Sequence, residues 1–258
     1  CKLIVSTPKI SPKDIHLIYD KWDKEDFVKS SNNPYHEESR RCNFENLNLD
    51  LNLNLKSLDL GGGEGNFSKF LVSKYPNWDV YHSDYSLKLN VGSEINAFEL
   101  DFTNQRIDEN KFNIITAWEV IEHVPYEKLD FVFNNIFKAL KKGGYFIFST
   151  PNFDSPLIKL LDFYSVALPF HYTILSKEWL DNYLPIHTNF LIDRIDHTSD
   201  FLDDYLNWFN YAIDSSKSIK EASMYELFIE IFNTNSDLKN HLLEKGIGTE
   251  IIYQLRKE

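Results

Sequence analysis

Ser57-Leu58-Asp59-Leu60-Gly61-Gly62-Gly63-Glu64-Gly65 reads as a strand running into a glycine loop. The segment behind it, with Phe67, Phe70 and Leu71 at helical spacing, reads as the helix that leaves the loop. Strand, loop and helix in this order open a parallel α/β sheet. Glycines at alternating positions let the backbone turn tightly and approach a ligand, and the helix N-terminus behind them offers N–H groups. Counting from Gly61, a dinucleotide fingerprint requires glycine where Asn66 stands, so the loop does not read as a nicotinamide site.

Outward from this unit the alternation continues. Residues 79–82 form a short second strand ending at Asp84, residues 97–100 a third ending at Asp101, and residues 112–118 a fourth. Leu129, Val132, Phe133, Ile136, Phe137 and Leu140 recur at helical spacing, and Lys141, Lys142, Gly143 and Gly144 read as the cationic last turn and glycine stop of that helix. Residues 145–149 are a buried fifth strand, 190–195 a sixth and 249–255 a seventh. The pattern implies an α/β, Rossmann-like, doubly wound and mostly parallel seven-stranded sheet, whose ligands sit beyond the carboxyl ends of the strands.

The expected division is a helical cover over 1–56, the core over 57–200, a helical insertion or lid over 201–245 and the final strand of the sheet over 246–258. Ser11-Pro12 supplies a helix start in the cover. Leu47, Leu49, Leu51, Leu53 and Leu55 alternate with polar residues, which fits a half-buried strand or an expanded loop equally well. Phe201, Tyr205 and Trp208 fit either a lid over an acceptor or ordinary core packing.

A chain of 258 residues with 43% hydrophobic content buries one sizeable core. Its net charge of −12 repels phosphate backbones and disfavours nucleic acid as a partner. Cys1 and Cys42 show no metal-ligand spacing. The opening CKLIVSTPKISPKD lacks the basic and apolar regions of a secretory leader, and no apolar stretch is long enough to span a bilayer, so the expectation is a cytoplasmic enzyme. A homodimer is compatible with the sequence.

Acids end three successive strands. Asp84 lies about 20 residues past the glycine loop, where a carboxylate accepts from ribose hydroxyls. Asp101 is placed to accept from an adenine amino group while Phe102 packs on the base. Each alone also reads as a turn cap. Glu119-Val120-Ile121-Glu122-His123 gathers two carboxylates and an imidazole at the mouth of the sheet, suited to deprotonating a hydroxyl or holding a divalent ion. The remaining histidines, His82 among them, fall in no ligand spacing and read as surface or satisfied polar residues.

The pieces LDLGGGEG, SDYS, ELDF, TAWEVIEHV and LKKGGYFIFSTPN, in this order over residues 57–152, are similar to class I S-adenosylmethionine (SAM)-dependent methyltransferases, particularly the ubiquinone-biosynthesis O-methyltransferases. The resemblance implies a reversed last hairpin in the sheet. It also implies that Asp59, Gly61, Gly63 and Gly65 line the methionine and ribose portion of SAM, that Asp84 and Tyr85 meet the ribose, Asp101 and Phe102 the adenine, and that Trp118 and Glu119 wall the cofactor. Asn113 departs from the Asp common before the fourth strand. The ExxEH motif resembles that of small-RNA 2′-O-methyltransferases, which implies a metal held by Glu119, Glu122, His123 and, from PFHYTILSKEWL, His171. Sequences of this kind without metal imply instead that His123 fixes its loop.

The expected activity is transfer of a methyl group from SAM to a hydroxyl, or secondarily an amine, of a small molecule such as a sugar, a nucleotide-linked sugar or a natural-product intermediate, releasing S-adenosylhomocysteine (SAH). His123 is the first candidate base and His171 the second, with Glu122 orienting one of them or sharing a metal. The alternatives are a metal-dependent RNA 2′-O-methyltransferase and a catalytically silent SAM-fold binding subunit.

Overall fold

The computed structural model describes residues 4–5, 44, 47, 49–85, 91–155, 171–198 and 250–258. The strands among them, numbered in chain order, are β1 (Ile4–Val5), β2 (Lys56–Leu60), β3 (Asp79–Asp84), β4 (Asn96–Glu99), β5 (Phe112–Trp118), β6 (Leu140–Pro151), β7 (Thr173–Ile174), β8 (Leu191–Thr198) and β9 (Glu250–Arg256). Seven of them form one sheet in the order β4-β3-β2-β5-β6-β9-β8, and β1 pairs with β7 in a separate ribbon. From β4 to β6 all neighbours are parallel. β9 alone runs against its neighbours β6 and β8. This is the expected doubly wound sheet with its reversed last hairpin.

Both faces of the sheet are covered, as a parallel sheet requires. Side chains alternate between the faces with a period of two. Leu58, Leu60, Ile115, Ala117, Phe146 and Phe148 pack with helices α2 (Leu129–Ala139) and α3 (Lys177–His187). Ile114, Trp118, Tyr145 and Ile147 pack with α1 (Asn66–Lys74) and the fully buried Phe44. The chain runs outward from β2 through β3 and β4 and returns on the far side of β2 as β5. The carboxyl ends of β2 and β5 therefore flank the crevice where such sheets bind ligands.

Two local expectations change. Lys141, Lys142, Gly143 and Gly144 do not close α2, which ends at Ala139 with Leu140 already extended; they open β6. Gly143 N–H donates to the Lys257 carbonyl at 2.7 Å and Lys257 N–H to the Gly144 carbonyl at 2.9 Å, so backbone pairing with the chain end outweighs continuation of the helix. A Cβ on Gly144 would lie 2.9 Å from the Asn113 carbonyl. Asn113 staples this corner, its side-chain oxygen accepting from Lys56 N–H and Lys141 Nζ at 3.0 Å each.

Residues 49–55 resolve as turns. The Asp50 carboxylate accepts from Asn52 N–H at 3.0 Å, a local bond that competes with a strand ladder. Leu55 is buried while Leu53 is 57% exposed. The N-terminal helix from Ser11-Pro12 and the insertion over 201–245 lie outside the described residues. No helix among the described residues is long and apolar enough to cross a membrane.

Candidate active site

The glycine loop stands at the end of β2 with Gly61, Gly63 and Gly65 at φ of 64°, 55° and 73°. Left-handed backbone at these places favours glycine. Gly61 is pressed on the segment after β5, since a Cβ there would lie 2.8 Å from Val120 Cγ2. A Cβ on Gly63 would meet nothing within 4 Å among the described residues, and its N–H donates to Asp84 Oδ2 at 3.0 Å.

Gly62 was not singled out by the motif, yet it is the most tightly seated. A Cβ there would fall 2.5 Å from both Asp59 Oδ2 and His82 Cε1. Asp59, expected at the cofactor, is instead 1% exposed beneath the loop. Its carboxylate accepts from Thr116 Oγ1 at 2.7 Å and from Ser68 Oγ at 3.3 Å. Because Asp59 points to the α1 face of the sheet, it supports the loop from below. His82 likewise is no surface residue: it is fully buried against that same loop.

Asp84 closes β3 on the rim of the loop, with Tyr85 53% exposed beside it. Asp101 caps its own turn: Thr103 Oγ1 donates to it at 2.6 Å and Asn104 Nδ2 at 2.7 Å. Burial pushes the Asp101 carboxyl up, but the hydrogen bonds from Thr103 and Asn104 outweigh it and hold the group below the usual carboxylate range. Phe102 packs partly buried against the core.

Beyond β5 the chain turns through Glu119 at φ 55° into a 3-10 turn over Ile121–His123. Glu119 N–H donates to Ser149 Oγ at 3.1 Å, and Ser149 Oγ donates to Glu119 Oε1 at 2.8 Å. Trp118 is buried, its ring edge-on to Phe67 at 5.1 Å. Glu122, His123 and His171 converge, each offering one donor atom within 4.8 Å of the others. The two imidazoles meet edge to face with centroids 4.9 Å apart. Glu119 falls outside this close group: the left-handed turn leaves its carboxylate on Ser149, so of the four expected metal ligands three are brought together.

The electrostatics of the trio are unusual. Glu122 is fully buried, and neither carboxylate oxygen meets a partner at hydrogen-bonding geometry among the described residues. Burial pushes its carboxyl up to about 8, the Glu250 carboxylate adds to the shift, and Glu119 and Thr150 lie near enough only to temper it. His171 is pushed down to about 3 by burial and by repulsion from His123. Glu250, 3% exposed at the start of β9, comes to the site from the chain end, a placement that no local motif signals.

The profile of the methyltransferase domain family matches residues 35–201. No protein of curated function matches the sequence. Among solved structures the chain is similar to phosphoethanolamine N-methyltransferase 2 of Haemonchus contortus in complex with SAM, with 14% identity, a TM-score of 0.58 and coverage of 85% of this chain and 52% of that one. The chain thus spans about half the length of that enzyme.

It is also similar to a protein described as a methyltransferase and solved in complex with the Trm112 methyltransferase activator of Haloferax volcanii, with 13% identity, a TM-score of 0.65 and coverage of 92% and 96%. Geranyl diphosphate C-methyltransferase of Streptomyces coelicolor, solved with Mg²⁺, geranyl diphosphate and SAH, matches at 14% identity, a TM-score of 0.54 and coverage of 86% and 79%. At these identities the likeness is one of fold, and the acceptors in it differ. The sequence match is the stronger statement, spanning well over half of the residues: the chain belongs to the methyltransferase domain family, within the class I SAM-dependent methyltransferases.

Proposed function

We propose that the chain binds SAM across the β2–β5 crevice and methylates a hydroxyl of a small molecule, with His123 as the base. The observation that carries the reading is the convergence of Glu122, His123 and His171 on the segment that seats against Gly61. The residues present fit the cofactor: a Cβ on Gly63 would meet none of the described residues within 4 Å, and the Asp84 carboxylate stands at the same rim, bonded to Gly63 N–H, so a ribose would lie over the loop beside the acid. When bound, SAM supplies a sulfonium-activated methyl group; its transfer to an acceptor oxygen breaks the S–CH₃ bond, forms an O–CH₃ bond, releases SAH and leaves a proton for the protein to accept.

A neutral amine attacks without prior deprotonation, whereas a hydroxyl profits from a base. That difference favours a hydroxyl at a site with two imidazoles. His171, held neutral over the working pH range, is a poor proton acceptor and serves to orient His123 or the acceptor. Glu122, retaining its proton near neutrality, can donate a hydrogen bond where an ionised carboxylate could not. The acidic balance of the chain supports a small acceptor over a polyanion.

The same trio suits a divalent cation. Two imidazole nitrogens and a carboxylate form a borderline donor set, and the buried Glu122 oxygens, without a hydrogen-bond partner among the described residues, fit a ligand role. A bound ion would supply Lewis-acid polarisation of the acceptor oxygen. Calorimetric titration of metal-stripped protein with SAH, repeated with Mn²⁺ and Zn²⁺, tests cofactor and metal separately. Micromolar SAH binding is expected, and its absence under all conditions sinks the cofactor reading. Across a panel of hydroxyl and amine acceptors, His123→Ala should slow turnover about 100-fold with SAH affinity kept; a normal rate rejects the base.

A further inference from the structure

Thr116, Asp59 and His82 are register partners on β5, β2 and β3, so three polar side chains lie side by side on the α1 face of the sheet. Ser68 of α1 comes down upon them. None of the four is more than 1% exposed. Ser68 Oγ lies 3.3 Å from Asp59 Oδ2 and 3.1 Å from His82 Nδ1, while Thr116 Oγ1 donates to the other Asp59 oxygen.

Counting hydrogens fixes the direction of this chain. A carboxylate only accepts, and a serine hydroxyl has one proton to give. The Ser68 proton therefore goes to Asp59, the Ser68 oxygen accepts, and His82 Nδ1 is the ring nitrogen that carries hydrogen. Nε2 is buried without a partner among the described residues. Were Nε2 protonated instead, Nδ1 would take the Ser68 proton, the Ser68–Asp59 bond would be lost and an N–H would be buried with no partner among the described residues.

The ring so held is the seat of the glycine loop. Its Cε1, with Asp59 Oδ2, lies where any side chain at Gly62 would have to go. Gly62 N–H donates to the carbonyl of Ser83, the next residue after His82, at 3.2 Å. One residue further, Asp84 receives Gly63 N–H. Loop, ring and strand-end acid are thus one packed piece.

We propose that His82 is a positioning residue of the cofactor site, locked as its Nδ1–H tautomer by the Ser68–Asp59 relay so that its ring edge sets the height of the glycine loop against Asp84. The proposal rests on the reading of that loop as the cofactor loop.

Long-range ¹H–¹⁵N spectra of histidine-labelled protein, with the His82 signals identified by their loss in His82→Asn, test the relay without any cofactor. An Nδ1–H pattern is expected, moving towards Nε2–H in Ser68→Ala; an Nε2–H pattern in the wild type overturns the proposal. Calorimetry with SAH then tests the positioning role. His82→Asn keeps an amide N–H at the place of Nδ1 but has no atom at the place of Cε1, and should lose about tenfold in SAH affinity, the scale of one hydrogen bond, whereas His82→Gln, whose amide reaches past that place, should lose less. Equal affinity in both variants overturns the role. No SAH binding by the wild type would overturn the cofactor reading and the positioning role with it, while the spectra still decide the relay.

Discussion

The Thr173 hydroxyl donates to the Val124 carbonyl at 2.9 Å, and this buried bond joins the segment that carries His171 to the turn that carries His123. The two histidines are distant in sequence, so no local interaction brings their rings together. β1 pairs with β7 through Ile4↔Ile174 and Val5↔Thr173, and Phe153 N–H donates to the Leu175 carbonyl at 3.0 Å. Thr173 is thus the point at which the chain before α3 is tied to the mouth of the sheet.

Thr173→Val should leave the Val124 carbonyl unpaired and cost about 1–3 kcal/mol in denaturant unfolding, with Thr173→Ser restoring most of it. In the same variants SAH affinity should change less than turnover, because the bond holds the histidines and not the glycine loop. Wild-type stability in Thr173→Val would show that the strap is held by the β-ribbon alone.

Gly62 and Gly63 separate two kinds of constraint. Gly62→Ala drives a methyl into the Asp59 carboxylate and the His82 ring, both of them buried, so a loss of about 1–3 kcal/mol in stability is expected. Gly63→Ala meets none of the described residues and carries the strain of its left-handed backbone, roughly 1–2 kcal/mol. Its methyl would stand where the cofactor is expected, so SAH affinity should fall further than stability does. Thermal unfolding measured beside calorimetry distinguishes them, and identical profiles for the two variants would reject the division.

Sequence periodicity was a good guide wherever local pattern and tertiary role agree. Strand β5 falls on residues 112–118 as read, and α2 begins at Leu129 as read, because an apolar period is imposed by the core itself. It was a poor guide where backbone pairing with a distant segment decides. Gly143 and Gly144 look like a helix stop, and only their partner Lys257 reveals a strand opening. Among site residues, His123 and Glu122 were legible as a motif. The seat made by His82, Ser68 and Gly62 was not, since it exists only once β2, β3 and α1 are packed. Glu250 is another such case, reaching the site through pairing with Pro151.

Asp84 offers a direct test of the cofactor pocket. One of its oxygens accepts from Gly63 N–H, which ties the acid to the rim where the ribose is proposed to sit. Asp84→Ala should weaken SAH binding by roughly 1.5–3 kcal/mol, the scale of hydrogen bonds to a charged group. Asp84→Asn, which keeps an acceptor for Gly63, should fall between. Unchanged affinity in Asp84→Ala would remove this residue from the pocket.

Glu122 makes stability depend on pH in a direction opposite to that of an ordinary paired carboxylate. In the unfolded chain its carboxyl ionises near 4.5; in the fold, burial and Glu250 raise it to about 8. Between those values the folded state holds a proton that the unfolded state has lost. Stability from this group is therefore greatest below about pH 4.5 and declines as pH rises through neutrality, levelling above about 8. The total change is on the order of a few kcal/mol, because each pH unit crossed while the two states differ by one proton is worth about 1.36 kcal/mol. Glu122→Gln removes the proton and with it this slope. In chelator-treated protein, the difference in unfolding free energy between Glu122→Gln and the wild type should move in favour of the variant from pH 5 to pH 8. Parallel curves would mean that the buried carboxyl finds compensation in the fold and is ionised at neutral pH, in which case it could no longer donate a hydrogen bond at the site.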